Sequence, residues 1–258
     1  MCGIFYTRNA GINADLLKES LNKSVGRGPD NSTIQTFGKH TMGFHRLAIN
    51  GLTDESNQPF CKNDFGVFLI CNGEIYNFKQ LYELFDKPPT TSSDCEIILD
   101  LYLKYDIDYT IKMLDGVFAF VIVDTIKDIV IWGRDPLGIR PMFYFQEIKT
   151  GLRKLFTENS FYCASEVKQL ADLTIDDDIK AFPPGCYSVL HGNELNFYRY
   201  FSLMSLNYTN DIYSDYYRGY DFSTTIIRDT LTDAVRKRLL SDRPIACLLS
   251  GGLDSSLI

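Results

Sequence analysis

The longest apolar run in the chain, Val117–Val123, is followed after Asp-Thr-Ile-Lys-Asp by a second apolar stretch, Ile129–Trp132. Two β-prone segments joined by so short a connection read as a hairpin, which needs further strands beside it to be stable. The rest of the first two hundred residues offers them. Ile4–Thr7, Thr41–Ala48, Val67–Cys71, Met142–Phe145 and Cys186–Leu190 also read as strands, several alternating in polarity. Helices are expected at Asp15–Ser24, Phe78–Phe85 and Asp94–Tyr105, the last opening on Ser93-Asp94-Cys95-Glu96 in the form of a capping box. Strands that mostly follow one another, with helices inserted, point to a layered α+β domain rather than regular βαβ alternation.

The character changes near residue 200, so the expected organisation is a domain over 1–200, a linker over 201–222 and a second unit over 223–258. Phe201–Phe222 is rich in Tyr, Asn, Ser and Asp without a clear period. An amphipathic helix is expected at Thr224–Leu240, with Ile227, Leu231, Ala234, Val235 and Leu239 near helical spacing. Ser241-Asp242-Arg243-Pro244 stops it, Ile245–Leu249 reads as a buried apolar strand, and Ser250-Gly251-Gly252-Leu253-Asp254-Ser255-Ser256 follows. Helix, buried strand and Gly-rich turn are the opening of a parallel α/β nucleotide-binding domain. A lone strand cannot make a sheet, so Ile245–Leu249 is expected to be poorly packed.

Composition narrows the function classes. Hydrophobic content of 45% supports a real core, and a net charge of -7 excludes a nucleic-acid partner, which needs a basic face. No apolar run approaches the ~18 residues of a membrane span, and no secretion signal is visible. The seven cysteines contain no Cys-x-x-Cys pair, as in reduced, cytoplasmic thiols. The three histidines, His40, His45 and His191, lack metal-ligand spacing, so no metal site is expected and a His- or zinc-dependent hydrolase is excluded.

Chemistry concentrates first at Cys2. Aminopeptidases trim Met1 before a small second residue, which would place a thiol and a free α-amine on one residue. Their reference pKa values, about 8.5 and about 7.7–8.0, let the amine accept the thiol's proton near neutral pH. That is the logic of an N-terminal nucleophile. Cys61, Cys71, Cys95, Cys163, Cys186 and Cys247 read instead as small buried side chains rather than second nucleophiles. In the Gly-rich turn, Gly251 and Gly252 allow successive N–H groups to face one anion, and Ser250, Ser255 and Ser256 add hydroxyls. The whole string resembles the pyrophosphate loop of ATP pyrophosphatases, with Leu249 and Asp254 included. It lacks the Gly-Lys-Ser/Thr of a P-loop.

Seven further strings occur in order: Met1-Cys2-Gly3-Ile4, Arg27-Gly28-Pro29-Asp30, His45–Ile49, Asn72-Gly73-Glu74-Ile75-Tyr76-Asn77, Ser93–Glu96, Gly116–Phe120 and Gly133-Arg134-Asp135-Pro136-Leu137-Gly138. Together they resemble the class II glutamine amidotransferase domain of the glutamine-hydrolysing asparagine synthetases, over nearly the whole chain. The resemblance implies an N-terminal nucleophile αββα sandwich followed by the first helix, strand and loop of a parallel α/β ATP-pyrophosphatase domain. It implies Cys2, Asn72 and Gly73 as catalytic residues. Glutamine would be bound by Arg46, Leu47, Ala48, Ile49, Asn50, Asn72, Gly73, Glu74 and Asp94.

These roles have physical cases. Amide hydrolysis passes through an oxyanion, for which the Asn72 side chain and the Gly73 N–H are suitable donors; an Asn-Gly pair is equally a turn signal. Arg46 offers a fork for the α-carboxylate and Asp94 a charge for the α-ammonium. Taken alone, Arg46 is as readily a surface ion pair, and Asp94 a helix-dipole partner. Arg27 is expected to hold the N-terminal segment. The residue before it, often His in the family, is Gly26 here.

In the family, ammonia released from L-glutamine amidates L-aspartate activated by ATP and Mg²⁺, while the glutaminase half needs no cofactor. A homodimer is compatible with it. This chain is expected to hydrolyse glutamine without making asparagine. A ligase acting on another carboxylate, or a non-catalytic binding domain of the same fold, are the rival readings.

Overall fold

The computed structural model describes residues 1–8, 11, 13–147, 159–174, 178–205 and 220–258. They divide into two compact units, Met1–Phe201 and Ser202–Ile258.

The first unit stacks two antiparallel six-stranded sheets. One contains β1 (Gly3–Arg8), β2 (Asn31–Phe37), β3 (His40–Arg46), β8 (Phe143–Glu147), β9 (Ser160–Ala164) and β10 (Lys180–Ala181), in the order β10-β8-β9-β1-β3-β2. The other contains β4 (Phe60–Lys62), β5 (Val67–Ile75), β6 (Gly116–Asp124), β7 (Ile129–Arg134), β11 (Cys186–His191) and β12 (Glu194–Arg199), in the order β12-β11-β7-β6-β5-β4. The expected hairpin is β6–β7, with Val123 opposite Val130.

Three apolar clusters account for the layering. Ile4, Tyr6, Met42 and Phe44 of the first sheet meet Ile70, Val121, Val123 and Trp132 of the second, filling the space between the sheets. Helices α2 (Phe78–Tyr82), α3 (Ile97–Tyr105) and α4 (Ile107–Met113) cover the outer face of the second sheet, where Leu81, Ile98 and Leu101 pack on Leu69, Phe120 and Ile122. Helix α1 (Ala14–Asn22) covers the other sheet, with Leu17 and Leu21 against Phe5 and Tyr162. Helix, sheet, sheet, helix is the sandwich expected from the resemblance. Because β6 is buried on both faces, its run has no polar alternation.

Local expectations differ in instructive ways. Strands β2, β4, β9, β10 and β12 and helix α4 are absent from the sequence reading. Strand β2 is Asn-Ser-Thr-Ile-Gln-Thr-Phe, polar and largely exposed, and it forms because β3 offers it a full edge to pair with. Strand β5 continues past Cys71 to Ile75, carrying Asn72 and Gly73 into the sheet rather than into a turn. Helix α3 begins at Ile97, and the expected capping box does not form. The Glu96 carboxylate instead accepts the N–H of Thr91 at 2.6 Å and pairs with Lys62 at 3.0 Å, so it is not turned back to the helix start.

In the second unit, helix α5 runs Tyr220–Lys237, followed by the short α6 (Leu253–Leu257). Part of the expected linker, residues 206–219, lies outside the described residues. Ile245–Leu249 is not a strand, and Leu248 and Leu249 are exposed. A strand needs a neighbour to take its N–H and C=O groups, and no described segment pairs with it. Among the described residues, no helix is long and apolar enough to cross a membrane.

Candidate active site

One cavity collects most of the expected residues of the first unit. Its lining includes Cys2, Arg46, Leu47, Ile49, Asn50, Asn72, Gly73, Glu74 and Asp94. Ala48 is not part of the wall. Its N–H donates to the Asp30 carboxylate at 2.7 Å, and the Asp30 N–H donates to Arg46 C=O at 3.0 Å. Asp30 therefore holds the segment after β3 against the Arg-Gly-Pro-Asp turn, which places Leu47 beside the thiol.

Cys2 stands immediately before β1, the strand locked between β3 and β9. Arg27 Nε donates to the Cys2 C=O at 2.8 Å and its Nη1 pairs with Glu166 at 3.2 Å, so Arg27 anchors this segment. The Cys2 Sγ lies 3.4 Å from the Leu47 N–H, which donates to it, and 3.7 Å from the Leu47 C=O. Burial pushes the Cys2 thiol above its ordinary value, against the opposing pull of that N–H. Burial lowers the Met1 α-amine; the neighbouring Cys2 opposes this, and the Arg140 and Arg27 cations add to it. Both shifts have the same cause, since burial disfavours the charged form of each group.

Opposite the thiol is strand β5. Asn72 is 1% exposed, yet its side-chain Nδ2 has no hydrogen-bond partner. An orphaned buried donor costs about 1–3 kcal/mol, so its retention calls for a ligand or a function. The backbone beside it is equally telling. Strand β4 pairs only with Val67–Leu69, so the outer edge of β5 lacks a strand neighbour beyond that point. Side chains cap it instead. Cys71 exchanges bonds with the Gln58 amide at 2.6 and 3.1 Å, Gly73 C=O accepts from the Cys95 thiol at 3.6 Å, and the Ile75 N–H donates to Asp94 at 2.7 Å. Gly73 faces Phe118, whose own N–H and C=O both bond to Asp135. The Gly73 N–H is thereby turned to the outer edge, where among the described residues no side chain takes it. A Cβ at Gly73 would come within 2.7 Å of the Val117 carbonyl, so only glycine lets β5 run this close to β6.

The charged residues divide into two groups. Arg46 Nη1 donates to Thr53 C=O at 2.9 Å and Asn57 Oδ1 at 2.7 Å, and Nη2 to the Gly51 carbonyl. The fork ties the 50–57 loop into the cavity wall. On the acidic side, Asp94 is 4% exposed and accepts from Asn50 at 3.3 Å as well as from Ile75. Burial pushes its carboxyl up to about 6. Glu74 pairs with Arg140 at 2.7 Å.

The pH consequence has a definite sign. Asp94 carries its charge only above about pH 6. The dissociation constant of a cationic ligand held by it should rise about tenfold per pH unit below that value. Calorimetric titration of glutamine into a Cys2→Ala variant from pH 5 to 8 should show this limb, and Asp94→Asn should remove it. For folding the linkage runs oppositely to a salt-bridged acid: the raised pKa favours the protonated fold, so this contribution is present at low pH and lost as pH rises through about 6.

The sequence reading missed Arg140, Gln58, Cys71 and Cys95 as cavity residues. Cys71 and Cys95 are buried as expected, but they line the wall, whereas Cys61 and Cys247, also expected to be buried, are exposed. Their only signal was position, beside Asn72 and Asp94. His45 is structural: its Nδ1 meets Ser32 Oγ at 2.7 Å and its Nε2 the Leu21 C=O at 2.9 Å.

In the second unit the Gly-rich turn forms, with Gly251 at φ +81 and Ser250 Oγ 2.9 Å from Ser255 Oγ. Ser255 and Ser256 hydroxyls both donate to Gly252 C=O. No group of three or more His, Cys, Asp or Glu that could hold a metal ion occurs among the described residues.

Known proteins resemble this chain in sequence and in fold. Residues 1–182 match the glutamine amidotransferase domain family, and residues 226–258 match the asparagine synthase family. Glutamine-hydrolysing asparagine synthetases of Cricetulus griseus and Homo sapiens are each 37% identical over all of this chain, and that of Gallus gallus 36%. The chain spans about half the length of these curated relatives, 47% in each case. A solved glutamine phosphoribosylpyrophosphate amidotransferase from B. subtilis shares the fold, with a TM-score of 0.62 at 21% identity over 78% of this chain and 50% of its own. By the match over residues 1–182, the chain belongs to the glutamine amidotransferase domain family.

Proposed function

We propose that the first unit hydrolyses the side-chain amide of L-glutamine by covalent catalysis at Cys2. The observation that carries this reading is the buried, unpartnered Nδ2 of Asn72 in the same cavity as the Cys2 thiol. With Met1 removed, the α-amine of Cys2 takes the thiol proton and the sulfur attacks the amide carbon. Asn72 Nδ2 and the Gly73 N–H receive the negative charge that develops on oxygen. The returned proton lets ammonia leave, and water then cleaves the thioester to glutamate. Met1 itself lines the cavity, so its loss also enlarges the space for substrate. Arg46 and the loop it ties down would face the α-carboxylate, and Asp94 with Glu74 the α-ammonium.

For the longer protein of which such a domain is part, the reading is a cytoplasmic asparagine synthetase that amidates L-aspartate. ATP with Mg²⁺ would activate the aspartate carboxylate when bound. The hydroxyls and glycine backbone of Ser250–Ser256, with Leu249 before them, are donors suited to a pyrophosphate group. No described residue is assigned to the metal.

Intact-mass measurement tests the nucleophile directly. After incubation with a glutamine analogue bearing an electrophile in place of the amide, the chain should have lost Met1 and gained one adduct at Cys2. A retained Met1 with no adduct would defeat the reading.

A further inference from the structure

The loop after β7 sends one cation into the cavity, and the way it is held is unusual. Asp135 is 1% exposed, and its carboxylate accepts the N–H groups of Leu137 (3.1 Å), Ile139 (2.9 Å) and Arg140 (2.9 Å), together with that of Phe118 on β6 (3.3 Å). One buried acid thus folds the whole 135–140 segment around itself and fastens it to the central strand. Arg134 adds to the frame by donating to the Arg140 C=O at 2.8 Å and the Gly138 C=O at 2.7 Å.

The product of this scaffolding is the position of Arg140. Its guanidinium is largely buried, lines the cavity and meets Glu74 Oε1 at 2.7 Å, while its Nε has no acceptor. Burying a guanidinium with a donor unpaired is costly unless something is gained. Glu74 is the more exposed partner and sits where β5 leaves the sheet edge, two residues beyond Asn72. The only other acid in the cavity wall among the described residues is Asp94, fixed by Asn50 and Ile75.

We propose that Arg140 is a positioning residue for the α-amino subsite: it pins Glu74 against the cavity wall, so that Glu74 and Asp94 together present a fixed acidic pair to the α-ammonium of glutamine. This rests on the glutaminase reading and extends it to substrate selection. Arg140 takes one carboxylate oxygen of Glu74 and leaves the other for the ligand. Without the clamp, Glu74 is free to turn into water and the subsite loses its second charge.

The test separates this from a general role in folding. Glutamine and its analogue lacking the α-amino group, 4-carbamoylbutanoate, are titrated calorimetrically into three Cys2→Ala chains. One keeps Arg140, and the other two carry Arg140→Lys or Arg140→Met. Arg140→Met should weaken glutamine about tenfold or more, the scale of losing a buried charged hydrogen bond. The des-amino analogue should change less than about twofold, and Arg140→Lys should recover part of the loss. Equal weakening of both ligands, or unchanged glutamine affinity in Arg140→Met, would overturn the assignment. Turnover by the chain with Cys2 intact is measured in parallel. Glutamine binding without any hydrolysis would reject the glutaminase reading while leaving the clamp to be judged by the binding data; no glutamine binding to the chain that keeps Arg140 would reject both.

Discussion

Replacing Cys2 with alanine should abolish glutamine hydrolysis, lowering kcat by roughly four orders of magnitude or more, as loss of the nucleophile does in other covalent hydrolases. Glutamine affinity should survive, because the groups that would face its two charges, Arg46 and Asp94, are held by the 50–57 loop and by Asn50 and Ile75, not by the thiol. The Cys2 sulfur bonds to the Leu47 backbone through contacts of 3.4 and 3.7 Å that contribute little to the fold. Thermal stability should therefore change little. An ammonia-release assay alongside glutamine titration checks both halves. Residual activity within tenfold of the parent would mean that the amide is attacked by something other than this sulfur.

Asn72→Ala should lower kcat by about two to three orders of magnitude, with the glutamine dissociation constant nearly unchanged. The reason is differential binding: a donor aimed at an oxyanion acts on the transition state and adds little to the ground state. A structural role predicts a different outcome. Most buried amides hold something, and truncating them destabilises the fold by about 1–3 kcal/mol. Asn72 Nδ2 holds nothing among the described residues, so its removal should leave the melting temperature within a few degrees of the parent. A large drop in melting temperature with intact kcat would show the amide to be a structural group. Single-turnover kinetics and thermal denaturation on the same preparation separate the two.

The elements that could be read from the chain were those whose apolar pattern is local. Strand β6 and its hairpin partner β7, strand β1 and the middle of β3 carry continuous or alternating apolar residues, so their burial is written into adjacent positions. Polar β2 and the two-residue β10 carry no such pattern; they exist because a neighbouring strand offers hydrogen-bonding groups. The same distinction runs through the site. Cys2, Asn72 and Asp94 stood out by chemistry and by their motifs. Arg140 did not, since an arginine two residues past a Gly-containing string looks like any surface cation until the loop around Asp135 turns it inward. Ala48 was expected in the pocket wall, but its N–H is spent on Asp30 and the wall passes from Leu47 to Ile49. Ile245–Leu249 was expected to form a strand, and its composition is right for one. No described neighbour supplies the second half of its hydrogen bonds.

What the amino-acid sequence determined by itself was the identity of the candidate groups and the layered sandwich that carries them, because residue chemistry and hydrophobic period are properties of short stretches. Only the tertiary structure decided which of those groups are left unsatisfied. Whether Asn72 Nδ2 or the Gly73 N–H finds a partner depends on where β4 stops, where Gln58 and Asp94 reach, and how β6 spends its own bonds on Asp135. Those contacts join segments far apart in the chain, and no local pattern encodes them.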